Sequence, residues 1–168
     1  MPPDLRLLYD AHAGTLFGFV LNLTRNEADT RDVLQEVFLK IARHPQQLVA
    51  VRDARAWLLR LAHHLAIDRL RRCRAGERAL ERIAVEPLEI FATSSDPDEA
   101  AFRSALAKAL RELPAEQRAV VHLKLWEDLT FVEIAETLDI PPNTAASRYR
   151  YGIDKLQALL RPLYEELR

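Results

Sequence analysis

Two arginines set two positions apart, Arg148 and Arg150, follow the small residues Thr144, Ala145, Ala146 and Ser147, with Tyr151 directly behind them. A guanidinium grips a guanine edge or a phosphate through paired N–H donors, and small neighbours let a helix approach a groove closely. The chemistry on offer is recognition of an anionic polymer, although the same spacing also suits a helical hairpin whose arginines are merely solvated. Bond-making chemistry has less support. His12, His44, His63, His64 and His122 show no metal-ligand spacing, and His63 and His64, being adjacent, diverge around a helix. With neither a Gly-rich phosphate loop nor a nucleophile elbow, no catalytic residue, metal or cofactor is expected.

The stretch DIPPNTAASRYRYGIDKL, 139–156, says how the arginines are positioned. Pro141-Pro142 is a stop signal, and Asn143 or Thr144 behind it is expected to cap a new helix, so two helices meet at a sharp corner. In the second helix Ala145, Tyr149, Ile153, Leu156 and Leu160 keep a helical period and should face a core. That leaves Thr144, Ala146, Ser147, Arg148, Arg150 and Tyr151 on the exposed N-terminal part. Upstream, Thr130 with Glu133 three residues on is a capping box for a short helix from Phe131 to about Leu138. The whole reads as a helix-turn-helix, the unit that lays its second helix in the major groove of DNA.

The remaining pattern is helical throughout. Ala and Leu dominate, Gly numbers only 4, and no alternation of apolar and polar residues is sustained, so the fold is expected to be all-α. A first helix is expected from about Pro3 to Leu23, with Leu5, Leu8, Tyr9, Leu16, Phe19, Val20 and Leu23 as its apolar positions. A second, from Ala28 to about Arg43, carries the stripe Val33, Leu34, Val37, Phe38 and Ile41. HPQQLVAVRD, 44–53, reads as a loop, and a long helix from about Ala54 to Arg72 follows with Trp57, Leu58, Leu61, Leu65 and Leu70. Residues 75–98 lack an apolar period and read as a flexible acidic linker; helices from about Asp98 to Leu113 and Ala115 to Trp126 come next. Two small helical domains, 1–74 and 99–168, are the expected organisation.

Charge is sorted by segment: residues 1–73 carry net +3, 74–100 net −4 and 101–168 net 0, within an overall −1. A protein that coats nucleic acid indiscriminately is thereby disfavoured, whereas separate surfaces for separate partners are not. The single Cys73 rules out an internal disulfide and reads as a plain small residue near a helix end. The apolar run from Leu16 to Leu23 is too short for a bilayer core of roughly 30 Å, and no signal-peptide pattern opens the chain. The expected location is the cytoplasm, without membrane insertion.

The order of these pieces resembles the extracytoplasmic-function (ECF) sigma factors of bacterial RNA polymerase, within the sigma-70 superfamily. DVLQEVFLKIAR, 32–43, looks like their region 2 core-binding helix, and ARAWLLRLAHHLAIDRLRR, 54–72, looks like their promoter-melting and minus-10 segment. LPAEQRAVVHLKLWEDLTFVEIAETLDIPPNTAASRYR, 113–150, is similar to their region 4. His64 stands where the family usually has Asn, and Asn143-Thr144-Ala145-Ala146-Ser147-Arg148 stands where Gly-Thr-Val-Lys-Ser-Arg is common.

The resemblance implies that Asp32, Gln35 and Glu36 dock on the clamp of core RNA polymerase, although by themselves they fit an ordinary solvated face. It implies that Arg52, Arg55, Arg60, His64, Arg69, Arg71 and Arg72 serve minus-10 recognition and melting, with the loop 48–54 as a place to capture a base. Trp57 is expected in the core, and Asp68 is expected to hold Arg71 and Arg72 through a salt bridge. Thr144, Ala146, Ser147, Arg148, Arg150 and Tyr151 would read the minus-35 element of promoter DNA. A sigma factor acting at transcription initiation is the implied function, with a probable anti-sigma factor as a further partner. The alternatives are a helix-turn-helix regulator that works without core polymerase and a purely protein-binding adaptor.

Overall fold

The computed structural model describes residues 4–77 and 95–166, and every regular element among them is an α-helix. The greater part of the expected linker lies outside the described residues. The chain divides into two compact units, Met1–Val85 and Glu86–Arg168.

The first unit packs three long helices against one another: α1 (Leu5–Thr24), α2 (Glu27–Arg43) and α4 (Ala54–Glu77), with the single turn α3 (Gln46–Val49) between the last two. Asp4 caps α1 by accepting the Arg6 N–H, and α1 ends on Arg25 in the left-handed region, φ 57°, its N–H donating to the Leu21 carbonyl. The chain then restarts at once, because the Asn26 side chain accepts the Asp29 N–H as the N-cap of α2. Buried hydroxyls close this corner: Thr24 and Thr30 pair at 2.8 Å, and Thr30 donates to the Asn26 carbonyl at 2.8 Å.

Leu16, Phe19, Val20 and Leu23 meet Val33, Val37 and Ile41 in the core, as the apolar periods require. The first turns of α1 depart from expectation. Leu5 and Tyr9 are exposed, although Tyr9 has the Phe38 ring against it, centroids 4.9 Å apart. On α4 the wholly buried positions are Leu58, Leu59, Ala62 and Ala66, while Trp57, Leu61 and Leu70 are half-buried, as is Cys73. Two alanines at i and i+4 let α4 lie close to its neighbours, a signal that a search for large apolar residues passes over. The expected loop 44–53 also contains the turn α3, since Pro45 begins a helix as readily as it ends one and Leu48 has a core to reach.

The second unit consists of α5 (Pro97–Glu112), α6 (Ala115–Leu125), α7 (Phe131–Leu138) and α8 (Pro142–Glu166). Asp96 caps α5, with Pro97 in its first turn. Ala109, Leu110, Leu113, Val121 and Leu156 form a buried cluster, and Leu106, Tyr149, Ile153 and Leu160 pack around it. Leu125, the last residue of α6, is exposed. Lys155 leaves the basic face of α8 to donate to the carbonyl of Glu112 at 2.7 Å, closing the C-terminal end of α5.

Gly152 permits the contact between α6 and α8. A Cβ there would lie 2.8 Å from Cγ2 of Val121 and 3.4 Å from Cδ2 of Leu113. Val121 is wholly buried and β-branched, so it cannot swing aside. Overpacking of this kind costs about 1–3 kcal/mol, more than the roughly 1 kcal/mol of helix propensity that losing a glycine returns. Gly152→Val should therefore destabilise the protein by about 2 kcal/mol, and adding Val121→Ala should restore part of that. Thermal unfolding of the full chain, followed by circular dichroism, checks both outcomes.

Candidate nucleic-acid and polymerase interfaces

The helix-turn-helix is built from its caps inward. The capping box forms as expected: Glu133 N–H donates to Thr130 Oγ1 at 3.2 Å, and Thr130 N–H donates to Glu133 Oε2 at 2.7 Å. At the other end Asp139 takes the left-handed conformation, φ 57°, with its N–H on the Ala135 carbonyl. The corner differs from the expected one in a single respect. Neither Asn143 nor Thr144 is the N-cap; α8 starts at Pro142, and the Pro141 carbonyl accepts from the N–H groups of Thr144 at 3.0 Å and Ala145 at 3.1 Å. Proline's fixed φ suits the first helical position, where its missing N–H would have had no partner inside the helix.

A brace sets the angle between the two helices. Lys124 donates to the Leu129 carbonyl at 3.2 Å and lies over the Phe131 ring, 4.9 Å from its centroid. Phe131 in turn meets Tyr149 edge to face, with centroids 5.5 Å apart. Ala145, Gly152 and Leu156 are buried on α8, and Tyr149, Ile153 and Leu160 are half-buried, so the predicted core face is the observed one.

The recognition candidates differ in exposure. Arg150 and Tyr151 are exposed, with the guanidinium 5.2 Å from the ring centroid, while Thr144, Ala146, Ser147 and Arg148 are half-buried. Ser147 donates to the Thr144 carbonyl at 3.1 Å, which leaves its oxygen lone pairs to accept.

In the first unit Asp32, Gln35 and Glu36 are all exposed, on the side of α2 away from buried Val33, Val37 and Ile41. On α4 the structure brings Arg60, His64 and Arg71 to one exposed face, one and three turns along. Arg52 and Arg72 are exposed as well, and Arg55 is half-buried. The loop before α4 is shaped by Asp53, whose carboxylate accepts the Ala56 N–H at 3.0 Å, and it leaves Val49 exposed.

Arg69 is not among these arginines. It is nine residues from Arg60, hence about 180° around the helix. Its Nε and Nη2 both reach Oδ1 of Asp29 at 2.9 Å, and Nη2 also reaches Oδ2 of Asp32 at 2.7 Å. The hydrogen bond donated to Asp29 holds the guanidinium pKa above its ordinary value, with burial opposing and the charges of Asp29 and Asp32 assisting. Asp29 is thus a site residue that the sequence reading missed. Only the helical wheel of α4 set against that of α2 would have found it. Asp68 does less than expected: it lies 3.9 Å from Arg71 with both side chains largely exposed, and such a pair contributes little.

Among the described residues no group of His, Cys, Asp and Glu is placed to hold a metal ion, and no helix is long and apolar enough to cross a membrane.

Comparison with known proteins agrees with this architecture. Residues 8–75 match the family model for sigma-70 region 2, and residues 103–156 match that for sigma-70 region 4. The chain is 35% identical over 165 residues to the ECF RNA polymerase sigma factor SigL of Mycobacterium tuberculosis, covering 95% of this chain and 90% of SigL. It is 26% identical to the ECF RNA polymerase sigma factor SigX of Bacillus subtilis, covering 99% of this chain and 89% of SigX. Among solved structures, the sigma factor RpoE in complex with the anti-sigma factor NepR from Bartonella quintana shares the fold, with a TM-score of 0.68 at 22% identity over 94% of each chain. The extracytoplasmic function sigma factor SigJ of Mycobacterium tuberculosis does so with a TM-score of 0.63 at 24% identity, over 89% of this chain and 52% of SigJ. A free-standing regulator would need only the second unit; this chain carries both sigma regions in order, and it belongs to the ECF sigma factors, non-enzymatic proteins that direct RNA polymerase to promoters.

Proposed function

We propose that three sets of surface residues divide the work of promoter recognition. Asp32, Gln35 and Glu36 on α2 dock on core polymerase. Arg52, Arg55, Arg60, His64, Arg71 and Arg72, on α4 and the loop before it, follow the minus-10 backbone and hold it as the duplex opens. Thr144, Ala146, Ser147, Arg148, Arg150 and Tyr151 meet the minus-35 element. The observation that carries this reading is that Asp32, Gln35 and Glu36 on α2, Arg60, His64 and Arg71 on α4, and Ser147 and Tyr151 on α8 each lie opposite a buried stripe of their own helix, so their direction is fixed by the core behind them. The site of action is the cytoplasm, where core polymerase and promoter DNA are. RpoE was solved with the anti-sigma factor NepR, which supports an inhibitory protein of that class as a partner here too.

Asp32→Ala combined with Gln35→Ala should weaken binding to core polymerase about tenfold or more while leaving helicity intact, since neither side chain reaches the core. Retention of core enzyme in a pull-down measures it, and undiminished retention would remove α2 as the docking face.

Arg148 and Arg150 are splayed about 200° around α8 and cannot both enter one groove. Arg148, nearer the small residues, is assigned to a base edge, and Arg150 to the backbone on one flank. Losing a bidentate base contact costs about 1–3 kcal/mol and relaxes specificity at one position, whereas losing a phosphate contact weakens all sequences alike and flattens the salt dependence. Titration of minus-35 variants at two salt concentrations should therefore separate Arg148→Ala from Arg150→Ala in kind. Equal losses on every sequence would refute the division, and no loss in either would remove α8 from the DNA.

A further inference from the structure

We infer that Arg69 is a positioning residue for polymerase docking: it clasps Asp29 and Asp32 from α4 and presets the Asp32 carboxylate on the α2 face, rather than touching promoter DNA. The inference rests on the docking role proposed above for Asp32.

Three observations support it. First, Arg69 occupies the side of α4 opposite Arg60, with Ala62 and Ala66 wholly buried on that side, so reaching the DNA-facing arc would require leaving the helix packing. Second, two of its three nitrogens, Nε and Nη2, are already engaged. Nε and Nη2 converge on Oδ1 of Asp29 at 2.9 Å, and Nη2 reaches Oδ2 of Asp32 at 2.7 Å, a two-carboxylate grip that a planar guanidinium can make and a lysine ammonium cannot hold in the same way. Third, Asp29 and Asp32 are one turn apart on α2, and two carboxylates so placed repel each other unless a cation sits between them. Arg69 is that cation.

Asp32 keeps 53% of its side chain exposed while so held. It is therefore oriented yet accessible, and a docking partner meets a carboxylate whose rotamer freedom is already lost. The grip also joins the helix that carries the minus-10 residues to the helix that carries the docking residues, so the two faces are held in fixed register.

The test is a double-mutant cycle on the full chain. Core polymerase affinity is measured for Asp32→Ala, Arg69→Ala and the two combined, with Arg69→Lys as a partial rescue. Arg69→Gln, which retains much of the aliphatic stem, serves the same purpose should the alanine variant fold poorly. The salt dependence of promoter binding by the reconstituted holoenzyme is the second readout. Loss of the Arg69 guanidinium should weaken core binding about three- to tenfold, with Arg69→Lys in between. The combined variant should bind no worse than Asp32→Ala alone, and the salt slope on promoter DNA should not change.

Additive losses in the combined variant would overturn the inference, because they would show Arg69 acting through general stability. A salt slope shallower by about one phosphate contact would overturn it by returning Arg69 to the DNA. If Asp32→Ala loses core affinity and removal of the Arg69 guanidinium does not, the clasp fails and the docking face stands. If Asp32→Ala itself binds core polymerase normally, the docking face fails and the clasp falls with it.

Discussion

A helix that must bury one arc of its surface has only the remaining arc for a partner, and in units this small each long helix is bound by that rule. On α2, Val33, Val37 and Ile41 take one side and so dictate that Asp32, Gln35 and Glu36 share the other. On α4, Leu59, Ala62 and Ala66 do the same for Arg60, His64 and Arg71. On α8, buried Ala145, Gly152 and Leu156 take one side and leave Arg150 and Tyr151 as the exposed members of the recognition candidates. The packing thus decides which polar residues can act together, even though it contributes none of their chemistry.

Sorting of charge follows from the same geometry. An arginine on the exposed arc of α4 keeps its charge in water, whereas one on the inner arc must bring its counter-charge with it, as Arg69 does with Asp29 and Asp32. A count of basic residues along 54–72 treats both alike. The overall charge of −1 is likewise no guide to the faces, because acidic residues are spent as caps and counter-ions: Asp4, Asp53, Asp96 and Glu133 all close helix ends.

Much of this was legible in the sequence because it depends on local rules. The all-α class, the α2 stripe, the Thr130–Glu133 capping box and the core face of α8 each follow from period or cap chemistry within a few residues. What was not legible depends on the neighbour across the core. Nothing within the sequence near Gly152 says that Val121 lies 2.8 Å from where a Cβ would be. Leu5 and Tyr9 share the apolar period of α1 yet stay exposed, and the pairing of Arg69 joins residues forty and thirty-seven positions apart. The proline errors have a different origin. Proline both ends and begins helices, and reading Pro45 and Pro141-Pro142 only as terminators hid the turn α3 and misplaced the cap of α8.

On the proposed assignment, the recognition face of α8 has few cations to offer a duplex. Lys155 is spent on the Glu112 carbonyl, Arg148 is half-buried, and Arg150 shares its guanidinium with the Tyr151 ring. Each phosphate contact contributes a salt-dependent increment to affinity, so a surface with one or two of them holds DNA weakly at physiological salt. The first unit adds a second modest surface. Two weak surfaces become a strong one when a common scaffold raises the effective concentration of each at its own site. The proposed docking through α2 would supply that scaffold, and a chain with no net positive charge would then read promoters only when it is mounted on the enzyme that will use them. On this proposal, low intrinsic affinity would confine promoter reading to the assembled polymerase.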